Sequence, residues 1–334
     1  MTGSSVIVPT MSGIARIRPL LESLRDQIAG SELIVVDNGS GDPGVAAIAS
    51  EFPNASVIRL ESNAGFSRAV NLAASRASGE RLILINDDCI CDPGFVAALS
   101  AAIDPAAGVT MAASVMRDPA SPRLIDSAGM RLDHTLLVFD YLNGHPVSLL
   151  DDGVPDPIGP SAAAAAFDRD AYLEVGGFDE RIFAYWEDVD LVIRMRRQGG
   201  RCVLATGARG THAHSSTLGS GSAGKNYLMG FGRGYVLRKW QVMSPRRTPA
   251  VLGREAVICA GQMVVDRNLA GVRGRVRGYR AATPVAPYPA GIGLESERWE
   301  MVRTLAARAR RRARIRARGQ AGTTIAGAGP VETH

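Results

Sequence analysis

Cysteine is scarce in this chain. There are four in 334 residues, at positions 89, 91, 202 and 259, with no CxxC pair and no disulfide framework. A reducing cytoplasm is the simplest setting for such a sequence. No stretch reaches about 18 apolar residues, which excludes a membrane-spanning helix. The first residues run directly into a strand pattern, SSVIVP, with no signal-peptide pattern. An overall basic surplus is also missing. The formal charge is +5, but residues 303–318 carry eight Arg and no acid, so the remainder is net acidic and specific nucleic-acid binding is not expected. A dinucleotide fingerprint is absent in context. Gly219 to Gly224 fits GxGxxG, yet no strand leads into it, and Gly230, Gly232 and Gly234 lie in a helical, aromatic segment. A flexible loop is the better reading of the first.

What is present is a hydrophobic content of 46% arranged in alternating strand and helix patterns. Strands are expected at residues 4–8, 32–36, 55–60 and 81–85, with helices at 17–28, 44–51 and 66–77 between them. Short loops in such an alternation predict right-handed βαβ units and a parallel sheet. The chain is organised around residues 81–92, RLILINDDCICD. The apolar run 82–85 reads as a central strand buried on both faces. It stops at Asn86-Asp87-Asp88, two adjacent carboxylates at the sheet edge where ligands bind in open α/β folds. Adjacent carboxylates repel unless a cation sits with them. A divalent ion carrying a diphosphate is one reading and a polar turn before Pro93 the other. Thr10 and Asp37 end earlier strands on the same edge. Further along, a strand is expected at 109–114 and an excursion of short strands and loops over 117–158. The run 161–166 is rich in small residues. A helix starts near Glu187, a last strand spans 201–205, a loop holds Thr211 to His214, and residues 223–243 form a helix.

These motifs together resemble the family 2 inverting glycosyltransferases of the GT-A fold, over about residues 4–240. The carriers are VIVPT at 6–10, VVDNGSGD at 35–42, NAGFSRAVNLA at 63–73, LILINDDC at 82–89, GGFDERIFAYWEDVDLVIRMRRQG at 176–199 and HAHSS at 212–216. NAGFSRAVN and FAYWEDVDL look most like the rhamnosyltransferase-type members that extend cell-surface or lipid-linked glycans. The resemblance implies an α/β fold with a mainly parallel sheet flanked by helices, and a nucleoside diphosphate sugar as donor. Asp37 would accept a hydrogen bond from a pyrimidine ring N–H, against the alternative of an Asx-turn. UDP- or dTDP-sugars would suit that contact, dTDP-L-rhamnose among them, with Pro9 and Thr10 forming the wall under the base. Asn63, Gly65 and Arg68 open a helix toward the diphosphate or nucleoside, against an ordinary helix start. Asp88 aligns with the carboxylate that contacts Mg²⁺ or Mn²⁺, Asp87 has a less defined donor-side role, and His212 resembles an added metal ligand. His212 and His214 face opposite ways in an extended segment, so at most one points inward. Asp188 is the expected general base and Glu187 its rival. Asp190 is expected to pair with Arg194 one turn on. Gly177, Phe178, Tyr185 and Trp186 would shape the acceptor side, or simply pack.

The resemblance divides the chain into a catalytic part at 1–240 (a nucleotide-sugar half, 1–115, and an acceptor half, 116–240), a helical basic extension at 241–318 and a disordered tail at 319–334. A sugar-phosphate nucleotidyltransferase would want a Gly-rich, basic phosphate loop after the first strand, where this chain has PTMSGIAR with one Gly. A sugar-nucleotide-binding module without chemistry would not need both Asp88 and Asp188. The expected acceptor is a glycan or lipid-linked glycan. Residues 303–318 would hold the enzyme on the cytoplasmic face of a membrane, with Val257, Ile258, Met263, Val264 and Val265 adding a shallow apolar contact. Against that stands a solvated basic tail, or one that binds nucleic acid nonspecifically.

Overall fold

The structure is a computed structural model that describes residues 3–52, 54–213 and 221–288. His214, the glycine-rich loop up to residue 220, the basic segment 303–318 and the tail 319–334 lie outside the described residues. So does all of a second unit, Ser296–His334.

The expected alternation forms at the start of the chain. Strands β1 (Ser4–Thr10), β2 (Glu32–Asn38), β3 (Ala55–Leu60) and β4 (Arg81–Ile85) are joined by helices α1 (Ile14–Leu24), α2 (Ile48–Glu51) and α3 (Phe66–Arg76). All four strands run parallel, in the order β3-β2-β1-β4. The apolar stripe of α1, Ile17, Leu20, Leu21 and Leu24, is fully buried against the sheet. Because the strands are parallel and in register, Thr10 lies beside Asp37. The residues that follow β4 leave at the same edge.

Beyond β4 the sheet is mixed. A short strand β5 (Cys89–Cys91) and helix α4 (Phe95–Ala102) lead to β6 (Val109–Asp118), β7 (Ser121–Ser127) and a two-stranded ribbon of β8 (Met130–Leu132) and β9 (Val138–Asp140). Strand β10 (Ala164–Asp168) then enters antiparallel between β4 and β6. Its alanines fit this central slot, where Ala166 pairs with Ile83 on one side and Ala112 on the other. Running antiparallel, β10 begins at the ligand edge, so residues 161–163 sit beside the end of β4. Helices α5 (Arg169–Glu174) and α6 (Glu187–Arg197) follow.

Strand β11 (Arg201–His212) departs from the sequence reading, which ended it at 205 and put Thr211 and His212 in a loop. After a register shift between Leu204 and Arg209 the strand continues and pairs antiparallel with β5. Gly210 permits this, because a Cβ there would meet the carbonyl oxygen of Ile90 at 2.7 Å.

The C-terminal helices are α7 (Ala223–Lys239), α8 (Thr248–Val265) and α9 (Ala270–Ala281). The glycines of α7 find their use here. Cβ atoms at Gly230 and Gly234 would strike the backbone of Gly271 and Arg275, so small residues set the close approach of α7 and α9. Among the described residues no helix is long and apolar enough to cross a membrane.

Candidate functional site

The Thr10 hydroxyl donates to Asp87 Oδ2 at 2.7 Å, tying the ends of β1 and β4. Burial pushes the Asp87 carboxyl above its ordinary value. The Thr10 hydrogen bond opposes this and the neighbouring Asp88 charge adds to it. Asp88 is placed by strand pairing. Its carbonyl accepts from Ala213 N–H at 3.0 Å, next to the His212–Cys89 pair of β11 and β5. That ladder brings His212 Nε2 to 3.0 Å from Asp88 Oδ1, while Arg16 Nη2 lies 3.4 Å from Oδ2. The sequence interval between 88 and 212 carries no sign of this contact.

Asp88, Cys89 and His212 form a cluster with donor-capable atoms within 4.8 Å of one another. The fit to a divalent ion rests on Asp88 and His212. An octahedral ion with bonds of about 2.1 Å sets neighbouring donors about 3.0 Å apart. Cys89 is a poor member, since burial drives its thiol pKa well up and Sγ donates to the Ala163 carbonyl at 3.5 Å. A protonated thiol is no ligand for a hard cation.

On the nucleotide side Asp37 is only 1% exposed. Oδ1 accepts from Ser40 N–H, three residues on, at 2.8 Å, and Oδ2 accepts from Arg59 Nε at 3.2 Å. Pro9 is buried in β1 opposite Val36. Asn63 Oδ1 accepts from the Asn38 amide at 3.1 Å and from Gly65 N–H at 2.9 Å. Gly65 has φ of 92°, and a Cβ there would meet the ring and carbonyl of Phe183, so a side chain would push this turn away from the acceptor half. Arg68 is exposed on α3.

On the acceptor side, Tyr185 and Trp186 both adopt left-handed backbone conformations, with φ of 69° and 79°. Consecutive non-glycine residues there store strain that surrounding packing must hold. Gly232 supplies the space, since a Cβ would lie 2.2 Å from the Tyr185 carbonyl. The Arg233 guanidinium stacks 5.1 Å from the Trp186 ring centre. Arg233 is itself pinned by Glu255 at 2.6 Å and by the carbonyls of Thr135 and Leu136 at 3.0 Å. Asp190 accepts from Arg194 at 2.8 Å, as its spacing predicted, and also from Lys239 and Trp240. Phe178 is buried with its N–H bound to Asn71, and Gly177 abuts the same Asn71 side chain. Phe178 therefore sits in the core.

The turn thus held presents Glu187 and Asp188. Asp188 is half-buried, with Oδ1 accepting from Val189 N–H at 2.8 Å and Oδ2 from Ala162 N–H at 3.4 Å. Ala163, the next residue, accepts at its carbonyl from Asn86 N–H at 2.8 Å. The start of β10 therefore links the Asp87-Asp88 turn to Asp188 through two adjacent residues. A small cleft is lined by His212, Ser161, Ala163 and Asp140 among others. Desolvation raises the Asp188 carboxyl, with Asp140 adding to it, against the N–H groups of Ala162 and Val189. Glu187 is 7% exposed, and its Oε2 has no hydrogen-bond partner among the described residues. Desolvation, then the Asp188 charge, pushes Glu187 well above the carboxylate range.

A raised native pKa means that the native state holds a proton which the unfolded state has released. That stability is complete below the ordinary carboxylate pKa and is lost as pH rises toward the raised value. Glu187→Gln is therefore expected to melt higher than wild type at pH 8, with the difference shrinking toward pH 5. Thermal melts across that range check it, and a pH-independent difference would contradict the assignment.

Sequence reasoning missed Arg16, Asn38, Asn71, Arg233 and Lys239. The one local signal was Arg233 between Gly232 and Gly234, two glycines flanking a cation in an aromatic helix.

Residues 5–139 match the profile of glycosyl transferase family 2. The chain is 30% identical over 209 residues to N-acetylglucosaminyl-diphospho-decaprenol L-rhamnosyltransferase of Mycobacterium tuberculosis, covering 55% of this chain and 67% of the relative. It is 27% identical over 230 residues to the O-antigen biosynthesis protein RfbC of Myxococcus xanthus, covering 64% of this chain but only 17% of that protein's length. Among solved structures, GalNAc-T7 with UDP, GalNAc and Mn²⁺ superposes with a TM-score of 0.54 at 15% identity, over 79% of this chain and 56% of the other. The mannosyltransferase PcManGT of Pyrobaculum calidifontis with GDP-Man and Mn²⁺ gives 0.50 at 18%, over 84% and 76%. These two likenesses establish the GT-A fold.

Proposed function

Because this chain belongs to glycosyl transferase family 2, we propose that it moves a sugar, with inversion, from a UDP- or dTDP-sugar to a glycan or lipid-linked acceptor. The observation that supports the reading is the pair Ala162 and Ala163, of which the first hydrogen-bonds to Asp188 and the second to Asn86, the residue before the Asp87-Asp88 turn. The proposed catalytic part is residues 1–240. Asp37 and the Pro9-Thr10 wall take the nucleobase. Asn63, Gly65, Arg68 and Asp87 flank the diphosphate. Asp88 and His212 would hold Mg²⁺ or Mn²⁺, which when bound neutralises charge on the departing diphosphate.

Asp188 takes the proton of the acceptor hydroxyl as its oxygen bonds to the anomeric carbon. The bond from that carbon to the diphosphate oxygen breaks on the opposite side, which inverts the configuration. The partial exposure of Asp188 supports it over the buried Glu187, because the base must meet a hydroxyl arriving from solvent. Tyr185, Trp186 and Gly177 frame the acceptor side, while Phe178 stays in the core. The relative named as an L-rhamnosyltransferase of N-acetylglucosaminyl-diphospho-decaprenol supports dTDP-L-rhamnose as the first donor to test and a lipid-linked acceptor. The proposed setting is the cytoplasm, at the inner face of the cell membrane.

The test is a thermal-shift series with dTDP-L-rhamnose, UDP-sugars and GDP-mannose in the presence of Mn²⁺, followed by product analysis for anomeric configuration. A donor at 100 times its Kd stabilises by about 2.7 kcal/mol. The expected result is a shift with dTDP- or UDP-sugars alone. A shift with the GDP-sugar and none with the pyrimidine donors would overturn the donor reading.

A further inference from the structure

Helix α8 is built with its polar face inward. Glu255 is buried and bound by Arg233 and Arg275, Arg254 pairs with Asp133 at 3.1 Å, and Gln262 reaches Asn226 and Arg275. Its outward face is apolar. Leu252, Val257, Met263, Val264 and Val265 are exposed, Val264 by 76%, while Ile258 is half-buried. A surface helix of a globular protein ordinarily shows the reverse, and a contiguous exposed apolar face marks an interaction site. Helix α9 extends the same character, with Val272, Val276 and Tyr279 exposed among Arg273, Arg277 and Arg280.

Charge selects the partner. Over residues 246–281 the exposed charged side chains are Arg246, Arg267, Arg273, Arg277 and Arg280, all basic. The two acids of this stretch are withdrawn, Glu255 buried and Asp266 half-buried. A second copy meeting this face across a twofold axis would set arginines against arginines. We infer that the outward face of α8 and α9 docks the protein on an anionic lipid surface, with arginines at the headgroups and the α8 side chains at the acyl boundary. The inference does not rest on sugar transfer, and binding is read without donor or acceptor.

The test is co-sedimentation of the full chain with phosphatidylglycerol–phosphatidylcholine vesicles and with phosphatidylcholine vesicles alone. Wild type is expected to bind the anionic vesicles, less so as salt rises. Val257→Asp/Val264→Asp and Arg273→Glu/Arg277→Glu should each lower partitioning by about tenfold or more. All four sites are exposed, so melting temperatures should hold. The inference is overturned if wild type does not bind, if neutral vesicles bind as well, or if both variants bind like wild type, which would leave residues 303–318 or another surface as the anchor. It is equally overturned if light scattering finds a dimer that the Val257→Asp/Val264→Asp variant splits, since a second copy would then be the occupant.

Discussion

Asp88→Ala is expected to remove Mn²⁺-dependent transfer, lowering kcat/KM by at least about 10²-fold, while the protein still folds. Asp88 sits on the turn between β4 and β5, outside the apolar core, and its backbone contact to Ala213 does not involve the side chain. What the substitution deletes is the carboxylate shared by His212 and Arg16. With it goes one of the two donors that fit a divalent ion. The Asp87 carboxyl would be left as the only acid at this turn, and its Oδ2 is already engaged by the Thr10 hydroxyl. Two measurements check the prediction together. The variant should lose the Mn²⁺-dependent thermal shift that wild type shows, and steady-state rates should no longer respond to added metal. Near-normal turnover from a folded variant would move the metal elsewhere.

Asp188→Asn should lower kcat by about 10²–10⁴-fold, the usual contribution of a positioned base. Donor affinity should change little. The side chain keeps its volume and can still accept from Val189 N–H, so the turn before α6 is retained. The pH profile separates a base from a structural residue. Desolvation raises the Asp188 carboxyl, and the base works only when ionised. Activity of wild type should therefore fall as pH drops through a value raised above the ordinary aspartate pKa, and the residual rate of Asp188→Asn should lack that limb. If Glu187→Gln is the inactive variant and Asp188→Asn is not, the two roles are exchanged. Full activity in both would place the base on another residue.

Much of the fold was legible in sequence because its signals are local. The apolar runs that became β1, β2 and β4, the helical stripe of α1, and the polar residues that end or follow those three strands are all short-range patterns, and parallel βαβ units turn them into one edge of one sheet. The i to i+4 spacing of Asp190 and Arg194 likewise needed nothing beyond helix geometry. The onset of α6 at Glu187 was visible for the same reason.

What tertiary structure decided is how distant segments meet. The antiparallel entry of β10 and the pairing of β5 with β11 bring residues 161–163 and 212 to the end of β4. Their register depends on which strands become neighbours, and no local propensity encodes that choice. The left-handed pair Tyr185-Trp186 opposes its own backbone preferences and is held by Gly232 and Arg233 from a helix some forty-five residues later. The polar inner face of α8 could not be read from its composition either. The buried Arg233 and Arg275 that make it favourable for Glu255 to turn inward come from α7 and α9. Residue order specified which groups are available, and close packing between remote helices and strands determined which of them face one another.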